Sequence, residues 1–399
     1  MAFLRNRRPN LDELVDALER AGVHGHGGAY FPTATKLRAV AAQRERPVVV
    51  VNGSEGEPLS RKDRFLLGAR TDTVLDGAFA VAEVLRADAI IIAVDHRRTR
   101  TIEAVQAALA GRPELEQHGA PVVEVIGVPD GYVTGQESSL VNFLGGHEAK
   151  PTATPPYVFE RGLRGRPTLV SNVETFAQIG RVAAGTFDGS RHITVSGAVP
   201  DPAVVQIRPG TTVAQALTAA GGITEEVSAV LLGGYGGTWV AMPEALGLPL
   251  DEADLRAHGL TLGAGILFTL GASRCGVAEV ARVTRWMSEQ SAGQCGPCVF
   301  GLRAIADGLQ SLCSHNPLDG VAFTSLAQIQ RWCAMVDKRG GCAHPDGVAR
   351  YVRSAMDVMA EEFKDHATHG PCSRCDTSAG PGARRRAPRR TAVASGGLR

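Results

Sequence analysis

The sequence lacks the long apolar run that a membrane span requires. Its most apolar stretches, around residues 48–51, 89–94 and 263–270, are all shorter than the roughly 20 residues needed to cross a bilayer. The basic N-terminal segment leads into an amphipathic pattern with acidic residues and no apolar core, so we expect no signal peptide. These features predict a cytoplasmic protein that no segment anchors in a membrane.

An excess of charge of either sign is also missing. The chain has 42 Lys and Arg residues and 41 Asp and Glu residues, which gives a formal net charge of +1. No global field therefore favours nucleic acid or a membrane surface. The 399 residues are 44% hydrophobic, which is enough to bury a core in about two to four domains. Any binding specificity must come from local sites.

Without a secretory signal, the eight cysteines indicate thiol or metal chemistry in a reducing compartment rather than a disulfide framework. Four of them form two CxxC pairs, Cys295 with Cys298 and Cys372 with Cys375. Three others stand in apolar contexts, and we interpret them as small core residues: Cys275, Cys313 and Cys333.

Hydrophobic periodicity predicts an α/β domain over residues 1–188. Two short β-branched runs, at residues 47–51 and 89–94, are typical of buried parallel strands. Residues 72–85 and 99–109 have the apolar spacing of helices. This alternation predicts a largely parallel sheet that binds ligands at the carboxyl ends of its strands.

The pattern changes after residue 188. Alternating strands with one short helix at residues 212–220 predict a β-grasp-like module over residues 189–262, and helical spacing predicts a bundle over residues 263–366. Residues 367–399 lose this periodicity, and from Ala383 onward they contain six arginines and no acid. We interpret them as a disordered basic tail rather than a nucleic-acid or lipid-binding arm. At its edge, Cys372 and Cys375 could help a partner to hold a metal, but we expect no role for them.

Four polar motifs stand at predicted element boundaries. In the first, GHGGAYFPTATK at residues 25–36, three glycines within four residues precede Lys36. Such a loop suits a backbone cradle for a phosphate, and a tight turn before a proline is the alternative. Three further motifs are VNGSEGEP, DGYVTGQESS and GRPTLVSNVET, at residues 51–58, 130–139 and 165–175. Their amides, carboxylates and hydroxyls can form hydrogen bonds with ring nitrogens or ribose hydroxyls of a ligand. For residues 51–58 a solvated acidic loop remains the alternative, and each motif alone is ambiguous.

A fifth motif combines SAGQCGPCVFG, at residues 291–301, with RGGCAHPDG, at residues 339–347. It places Cys295 and Cys298 at CxxC spacing and Cys342 about 44 residues later. Three soft ligands favour an iron–sulfur cluster or zinc. A redox dithiol and inert buried thiols remain open as alternatives.

In this order, the five motifs resemble those of the flavin-bearing, NADH-oxidising subunits of respiratory complex I and of related subunits in bidirectional hydrogenases and formate dehydrogenases. The resemblance covers about residues 21–363. It implies a Rossmann-like flavin domain, a β-grasp module of the soluble-ligand-binding type and a helical bundle with a [4Fe-4S] cluster.

The implied function is an NAD(P)H-linked oxidoreductase. Electrons would pass from the dinucleotide through FMN to the iron–sulfur centre, and then to a ferredoxin-like or other iron–sulfur protein. The alternative is a non-catalytic paralogue that binds flavin or another ligand and has lost dinucleotide oxidation.

Matched position by position, the resemblance implies three sets of site residues. Those expected to hold FMN are Gly25, Gly27, Gly28, Lys36, Asn52, Glu55, Gly135, Ser171, Asn172 and Thr175. Those expected to contact the dinucleotide are Phe31, Glu57, Tyr132, Glu137 and Tyr157. Those expected to ligate the cluster are Cys295, Cys298 and Cys342.

The chain also departs from the family's pattern. His26, Tyr30 and Ser54 replace an arginine, a glycine and an aspartate of the flavin loops. Gln136 and Thr154 replace a glutamate and a lysine, which predicts weak dinucleotide binding. Ala292 stands where the first cluster cysteine is expected, so the cluster needs another fourth ligand or exists in a three-iron form. The candidate fourth ligands are Ser291, Cys275 and water.

Overall fold

The computed structural model describes residues 10–314 and 325–375. Its first unit is a parallel sheet of four strands in the order β3-β2-β1-β4. The strands are β1 (Val48–Gly53), β2 (Ala89–Asp95), β3 (Val122–Val128) and β4 (Thr168–Asn172). The predicted parallel α/β domain is confirmed.

Seven helices surround this sheet. They are α1 (Leu11–Arg20), α2 (Thr33–Ala41), α3 (Lys62–Ala69), α4 (Thr71–Leu85), α5 (Thr99–Ala110), α6 (Glu137–Leu144) and α7 (Val173–Ala183). Helices α4 and α7 cross closely at Gly77 and Gly180. A β-carbon on Gly77 would lie 1.9 Å from the Phe176 carbonyl oxygen, and a β-carbon on Gly180 would lie 2.3 Å from the Thr73 carbonyl oxygen, so neither position has room for a side chain. This close crossing fixes the first turn of α7 beside the carboxyl end of β4.

The second unit is a five-stranded sheet in the order β6-β5-β9-β7-β8. Its strands are β5 (Arg191–Gly197), β6 (Ala203–Ile207), β7 (Val227–Leu232), β8 (Thr238–Ala241) and β9 (Ile266–Gly271), and its helices are α8 (Val213–Ala219) and α9 (Glu252–Ala257). The module therefore extends to Gly271, beyond the boundary predicted at residue 262. Strand β9 is buried on both faces, so it is a continuous apolar run, and such a run cannot be distinguished from a buried helix segment by periodicity.

The third unit is helical. It contains α10 (Gly276–Glu289), α11 (Arg303–Ser314), α12 (Leu326–Val336), α13 (His344–Val358) and α14 (Ala360–His369). It packs on one face of the five-stranded sheet, where Trp239 of β8 contacts Phe268 of β9 and Tyr351 of α13. Helices α8 and α9 cover the other face.

Helix α14 continues past the predicted end of the bundle at residue 366, and residues 370–375 form a turn after it. The rest of the predicted basic tail, residues 376–399, lies outside the described residues. Within the described ranges, no helix combines the length and the apolar character needed to cross a bilayer.

Candidate functional site

Two asparagines end neighbouring parallel strands of the first sheet. Asn52 of β1 and Asn172 of β4 lie opposite each other in register. Asn52 Nδ2 donates to the Gly135 carbonyl oxygen at 2.8 Å, and Asn172 Oδ1 accepts from the Glu174 amide at 3.0 Å in the first turn of α7. Ser171 lies in β4 opposite Val51. The sheet edge therefore collects three of the predicted motifs.

The glycine loop lies against this edge. The His26 amide donates to Thr175 Oγ1 at 3.1 Å, and a β-carbon on Gly27 would lie 3.8 Å from that of Asn172. Gly28 adopts a φ of +107°, which glycine tolerates best. In the described part of the chain, the amides of Gly27 and Gly28 donate to no protein acceptor, whereas the Gly25 amide donates to Phe31. The loop beside the start of α7 therefore holds two amide donors without a protein acceptor, as a phosphate cradle requires.

Lys36 joins the predicted flavin side to the predicted dinucleotide side. Its Nζ donates to the Val170 carbonyl oxygen of β4 at 2.6 Å and lies 2.7 Å from Glu137 Oε1 at the start of α6. The lysine side chain is about one quarter exposed and the glutamate somewhat more. One residue of the predicted flavin set is therefore in direct contact with one residue of the predicted dinucleotide set.

Glu55 and Gly135 shape the loops of this site. Glu55 has a φ of +41°, and its Oε1 accepts from Ser60 Oγ at 2.8 Å and from the Asp63 amide at 2.9 Å. Burial, and then the nearby Asp63 charge, raise the pKa of Glu55. A β-carbon on Gly135 would lie 2.7 Å from Ser54 Oγ. Glu55 therefore organises the loop before α3, and Gly135 allows the loops after β1 and β3 to approach.

Glu57 and Tyr132, both predicted at the dinucleotide, connect the first unit to the others. Glu57 is buried, and its Oε1 accepts from the Tyr235 amide of the β-grasp module at 2.6 Å. The Tyr132 amide donates to Gln290 Oε1 at 3.0 Å, and its ring meets Trp286 edge-on at 5.9 Å. Both residues hold the three units together at this site.

Burial raises the pKa of Glu57 to about 8, which predicts a pH-dependent stability. Between about pH 4.5 and pH 8 the folded protein keeps a proton on this carboxyl that the unfolded chain has released, so its contribution to stability falls as pH rises through this window. The variant Glu57→Gln retains an acceptor for Tyr235 without the charge. We expect its melting temperature to exceed that of the parent at pH 8.5 and to match it at pH 4.5, when both carry equal FMN. A melting difference that is the same at the two pH values would contradict this assignment.

Phe31 and Tyr157 present exposed rings, each about half accessible. Tyr157 stacks on Phe159 at 5.5 Å, and within the described residues the two exposed rings do not contact each other. Gln136, which replaces a glutamate of the family pattern, caps α6, because its Oε1 accepts from the Ser139 amide at 2.8 Å. The aromatic surfaces are open to a ligand, whereas the amide at position 136 already has a structural partner.

A buried charged group that the sequence interpretation missed lies between the first two units. Lys62, only 2% exposed, lies 2.6 Å from Asp63 Oδ1 and 3.8 Å from Glu174 Oε2. Although burial opposes ionisation, the neighbouring His26, His192 and Lys62 lower the pKa of Glu174 to about 2. The cavity beside this group, also bordered by Tyr30, measures about 10 Å³, which is room for one water at most. In the sequence, this buried charged group could have been suggested only by the adjacent charged residues Lys62, Asp63 and Arg64.

The three cysteines of the cluster motif lie near one another. Cys295 and Cys298 flank the start of a π-helical turn (Pro297–Leu302), and Cys342 lies just before α13. Against the effect of burial, the amides of Gly341 and Cys298 lower the pKa of Cys295. Burial, and then Cys295 and Cys342, raise the pKa of Cys298 to about 12. The Gly341 amide at Cys295 therefore brings the loop that carries Cys342 to the CxxC turn.

The residues present fit both implied cofactors. The Gly27 and Gly28 amides, the Lys36 ammonium and the Thr175 hydroxyl form a donor set suited to the phosphate and polar edge of FMN. Asn52 Nδ2 donates to Gly135 and Asn172 Nδ2 to Asp63 at 2.7 Å, and each of these amide groups has a second N–H to offer. Three neighbouring thiols with glycine amides beside them fit three ligand positions of a [4Fe-4S] cluster.

Cys275 is not the fourth cluster ligand. It lies at the beginning of α10, a helix of 14 residues, and the cluster motif follows the other end of that helix. At 1.5 Å per residue the two ends are about 21 Å apart. Ser291 and water remain as candidates.

Two further predictions concern cysteines outside the cluster motif. Cys275 is buried, but Cys375 Sγ lies 3.7 Å from its sulfur and His366 Nε2 lies 3.4 Å from it. Cys275 is therefore a core residue, as predicted, and its thiol also lies in one group with His366 and the Cys372/Cys375 pair. Cys333 is fully buried in the core, as predicted.

Family comparisons agree with this arrangement. Residues 18–181 match the Nuo51 FMN-binding domain, residues 192–238 the SLBB domain, and residues 278–366 the iron–sulfur binding region of NADH-ubiquinone oxidoreductase F. They confirm the predicted fold and the predicted FMN and iron–sulfur cofactors.

Whole-chain comparisons give the same picture. The chain is 27% identical over 392 residues to the NADH-quinone oxidoreductase F subunit of Mycobacterium bovis, covering 90% of this chain and 86% of that protein. It is 27% identical over 380 residues to the corresponding protein of Escherichia coli, covering 88% and 84%. The crystal structure of an NAD+-reducing [NiFe]-hydrogenase in the H2-reduced state superposes with a TM-score of 0.81 at 25% identity, over 90% of this chain and 63% of the hydrogenase chain.

Proposed function

The chain belongs to the family of NADH-quinone oxidoreductase F subunits, and from this premise we propose that it oxidises NAD(P)H and passes the electrons to an iron–sulfur partner protein. The observation that carries the proposal is the 2.7 Å contact between Lys36 and Glu137. It joins the residues expected to hold FMN to those expected to hold the dinucleotide, so the two ligands would meet at one place.

The binding roles follow from the geometry at the sheet edge. The Gly27 and Gly28 amides and the Lys36 ammonium would hold the phosphate, while Asn52, Asn172 and Thr175 supply polar contacts along the flavin. Bound FMN accepts a hydride and releases electrons one at a time, which suits a junction between a dinucleotide and an iron–sulfur centre.

The dinucleotide side is expected to bind weakly. The exposed rings of Phe31 and Tyr157 can stack on a base or a nicotinamide, and Glu137 can accept from ribose hydroxyls. Gln136 caps α6, and Thr154 is an exposed residue without charge. Losing a charge-assisted contact costs about 1.5 to 3 kcal/mol, or roughly ten- to a hundredfold in affinity.

Electrons would leave through the group formed by Cys295, Cys298 and Cys342. The turn after Cys298 exposes the apolar side chains of Val299 and Phe300, the latter 75% accessible. A partner that docks there would bring its own centre near these thiols. We therefore propose a ferredoxin-like or other iron–sulfur protein as the acceptor, and the cytoplasm, where thiols remain reduced, as the location.

Anaerobic stopped-flow mixing tests the function. We expect millimolar NADH or NADPH to bleach the flavin absorbance, with a rate that saturates only at high dinucleotide concentration because binding is weak. Dithionite serves as the control that shows the flavin to be reducible. If dithionite bleaches the flavin and neither dinucleotide does, the protein is the non-catalytic paralogue.

A further inference from the structure

We propose that Cys275, His366, Cys372 and Cys375 form a zinc site that is separate from the iron–sulfur motif. Each residue offers one ligand atom, and the four atoms lie within 4.8 Å of one another. Three soft thiolates with one imidazole are a typical ligand set for structural zinc. The four residues come from the start of α10, from α14 and from the turn after α14.

The separations between the ligand atoms fit a single tetrahedral ion. Cys275 and Cys375 sulfurs are 3.7 Å apart, Cys372 and Cys375 sulfurs 3.9 Å, and His366 Nε2 lies 3.4 Å from the Cys275 sulfur. Bond lengths of about 2.3 Å to sulfur and 2.0 to 2.1 Å to nitrogen place two ligand sulfurs of a tetrahedron about 3.8 Å apart and a sulfur and a nitrogen about 3.6 Å apart. The thiolates of a cubane bind different irons and stand farther apart, so the geometry favours zinc.

The histidine is already oriented as a metal ligand. His366 is buried, and its Nδ1 lies 3.0 Å from the Leu312 carbonyl oxygen. A carbonyl can only accept, so the ring proton resides on Nδ1 and the Nε2 lone pair faces the sulfurs. Metal-binding histidines commonly donate their second ring nitrogen in this way.

The surroundings suit the negative charge of three thiolates. The Ala278 amide donates to Cys275 Sγ at 3.3 Å in the first turn of α10, and the Arg374 amide donates to Cys372. The Arg374 guanidinium sits within the same turn and donates to the Ala272 carbonyl oxygen at 2.9 Å. The amide donors offset the one negative charge that remains after Zn²⁺ binds three thiolates, and the Arg374 guanidinium pairs with the carboxylate of Glu362 at 3.0 Å.

A zinc ion at this site would link α14 and the turn after it to the start of α10, where the five-stranded sheet meets the helical bundle. Helix α14 has ten residues and buries only Phe363 and His366, and so short a helix is marginal without further contacts. A zinc ion would join it to Cys275, which is separated from Cys372 by about a hundred residues of sequence, and such binding free energy stabilises the folded state directly. The proposal does not depend on FMN or on dinucleotide oxidation.

Metal analysis of the full-length protein tests the proposal. After equilibration with zinc and removal of the excess, we expect about one zinc per chain, and cobalt in its place should give the visible bands of a tetrahedral thiolate site. The double variant Cys372→Ala/Cys375→Ala changes two partly buried turn residues, and we expect its affinity for zinc to fall roughly tenfold or more. The matched control, Cys333→Ala, removes a buried thiol outside the group and should retain it.

Several outcomes would overturn the proposal. One is wild-type protein that binds no zinc and gives no cobalt bands, a measurement that needs no variant. Another is a double variant that keeps its zinc. A third is iron with sulfide in a Cys295→Ser/Cys298→Ser protein, which would assign a cluster to the proposed site instead.

Discussion

Replacing Lys36 with alanine should leave the purified protein with little FMN. The variant removes the ammonium that lies between the Val170 carbonyl oxygen and Glu137, and it leaves the Glu137 carboxylate without its ion-pair partner. Loss of a charge-assisted contact costs about 1.5 to 3 kcal/mol, which weakens FMN binding roughly ten- to a hundredfold. Flavin released by denaturation, measured per chain, gives the result directly.

A matched variant separates this effect from a general loss of charge. Lys364 lies on α14, is largely exposed and approaches Glu361 only at 3.9 Å, so Lys364→Ala should retain the parental flavin content. Equal flavin in the Lys36→Ala protein and the parent, with equal affinity on titration of the apoprotein, would remove Lys36 from the flavin site.

Introducing a thiol at position 292 should convert a labile iron–sulfur centre into a durable one. The three thiols at Cys295, Cys298 and Cys342 leave one iron of a cubane without a cysteine, and such a centre is prone to lose that iron in air. The parent, purified anaerobically, should give a three-iron signal when oxidised or a cubane signal when reduced in electron paramagnetic resonance. The variant Ala292→Cys should hold about four irons per chain and keep the cubane signal during exposure to air.

An extra thiol elsewhere should have no such effect. Ala107 is an exposed residue on α5 in the first unit, so Ala107→Cys should match the parent in iron content and in stability to air. If the parent binds less than about one iron per chain after anaerobic reconstitution, electrons must leave directly from the flavin and these thiols have no role in their transfer.

Local patterns in the sequence predicted much of the first unit and of its binding edge. The β-branched run at Val48–Gly53 and the polar loop after it place Asn52 at a strand end from composition alone. The resemblance supplied the expectation that these distant motifs share a site. In the structure the glycine loop contacts Thr175, and Lys36 contacts Glu137. Strand β9 was placed outside its sheet because burial on both faces removes the alternation that identifies a strand.

Contacts over long sequence separations account for what the sequence did not reveal. Cys275 and His366 are 91 residues apart, and each alone resembles an ordinary core residue, so only the fold shows that they meet. The interactions of Lys62 and Glu174 likewise depend on how α3 approaches α7. Gln136 is a substituted binding residue in the family pattern, yet its hydrogen bond to the Ser139 amide shows that it also begins a helix.

Strand β9 limits how the protein can move during electron transfer. It is hydrogen-bonded to β5 on one edge and to β7 on the other, and only four residues separate its end at Gly271 from the start of α10 at Gly276. A hinge between sheet and bundle would have to break these ladders or the packing of Trp239 on Tyr351. The bundle thiols are therefore held fixed relative to the five-stranded sheet, and Glu57 and Tyr132 tie the first unit, which carries the flavin residues, to the sheet and the bundle. The rate of electron transfer from the flavin to these thiols should then be insensitive to solvent viscosity, whereas release of the dinucleotide from the exposed rings should depend on it.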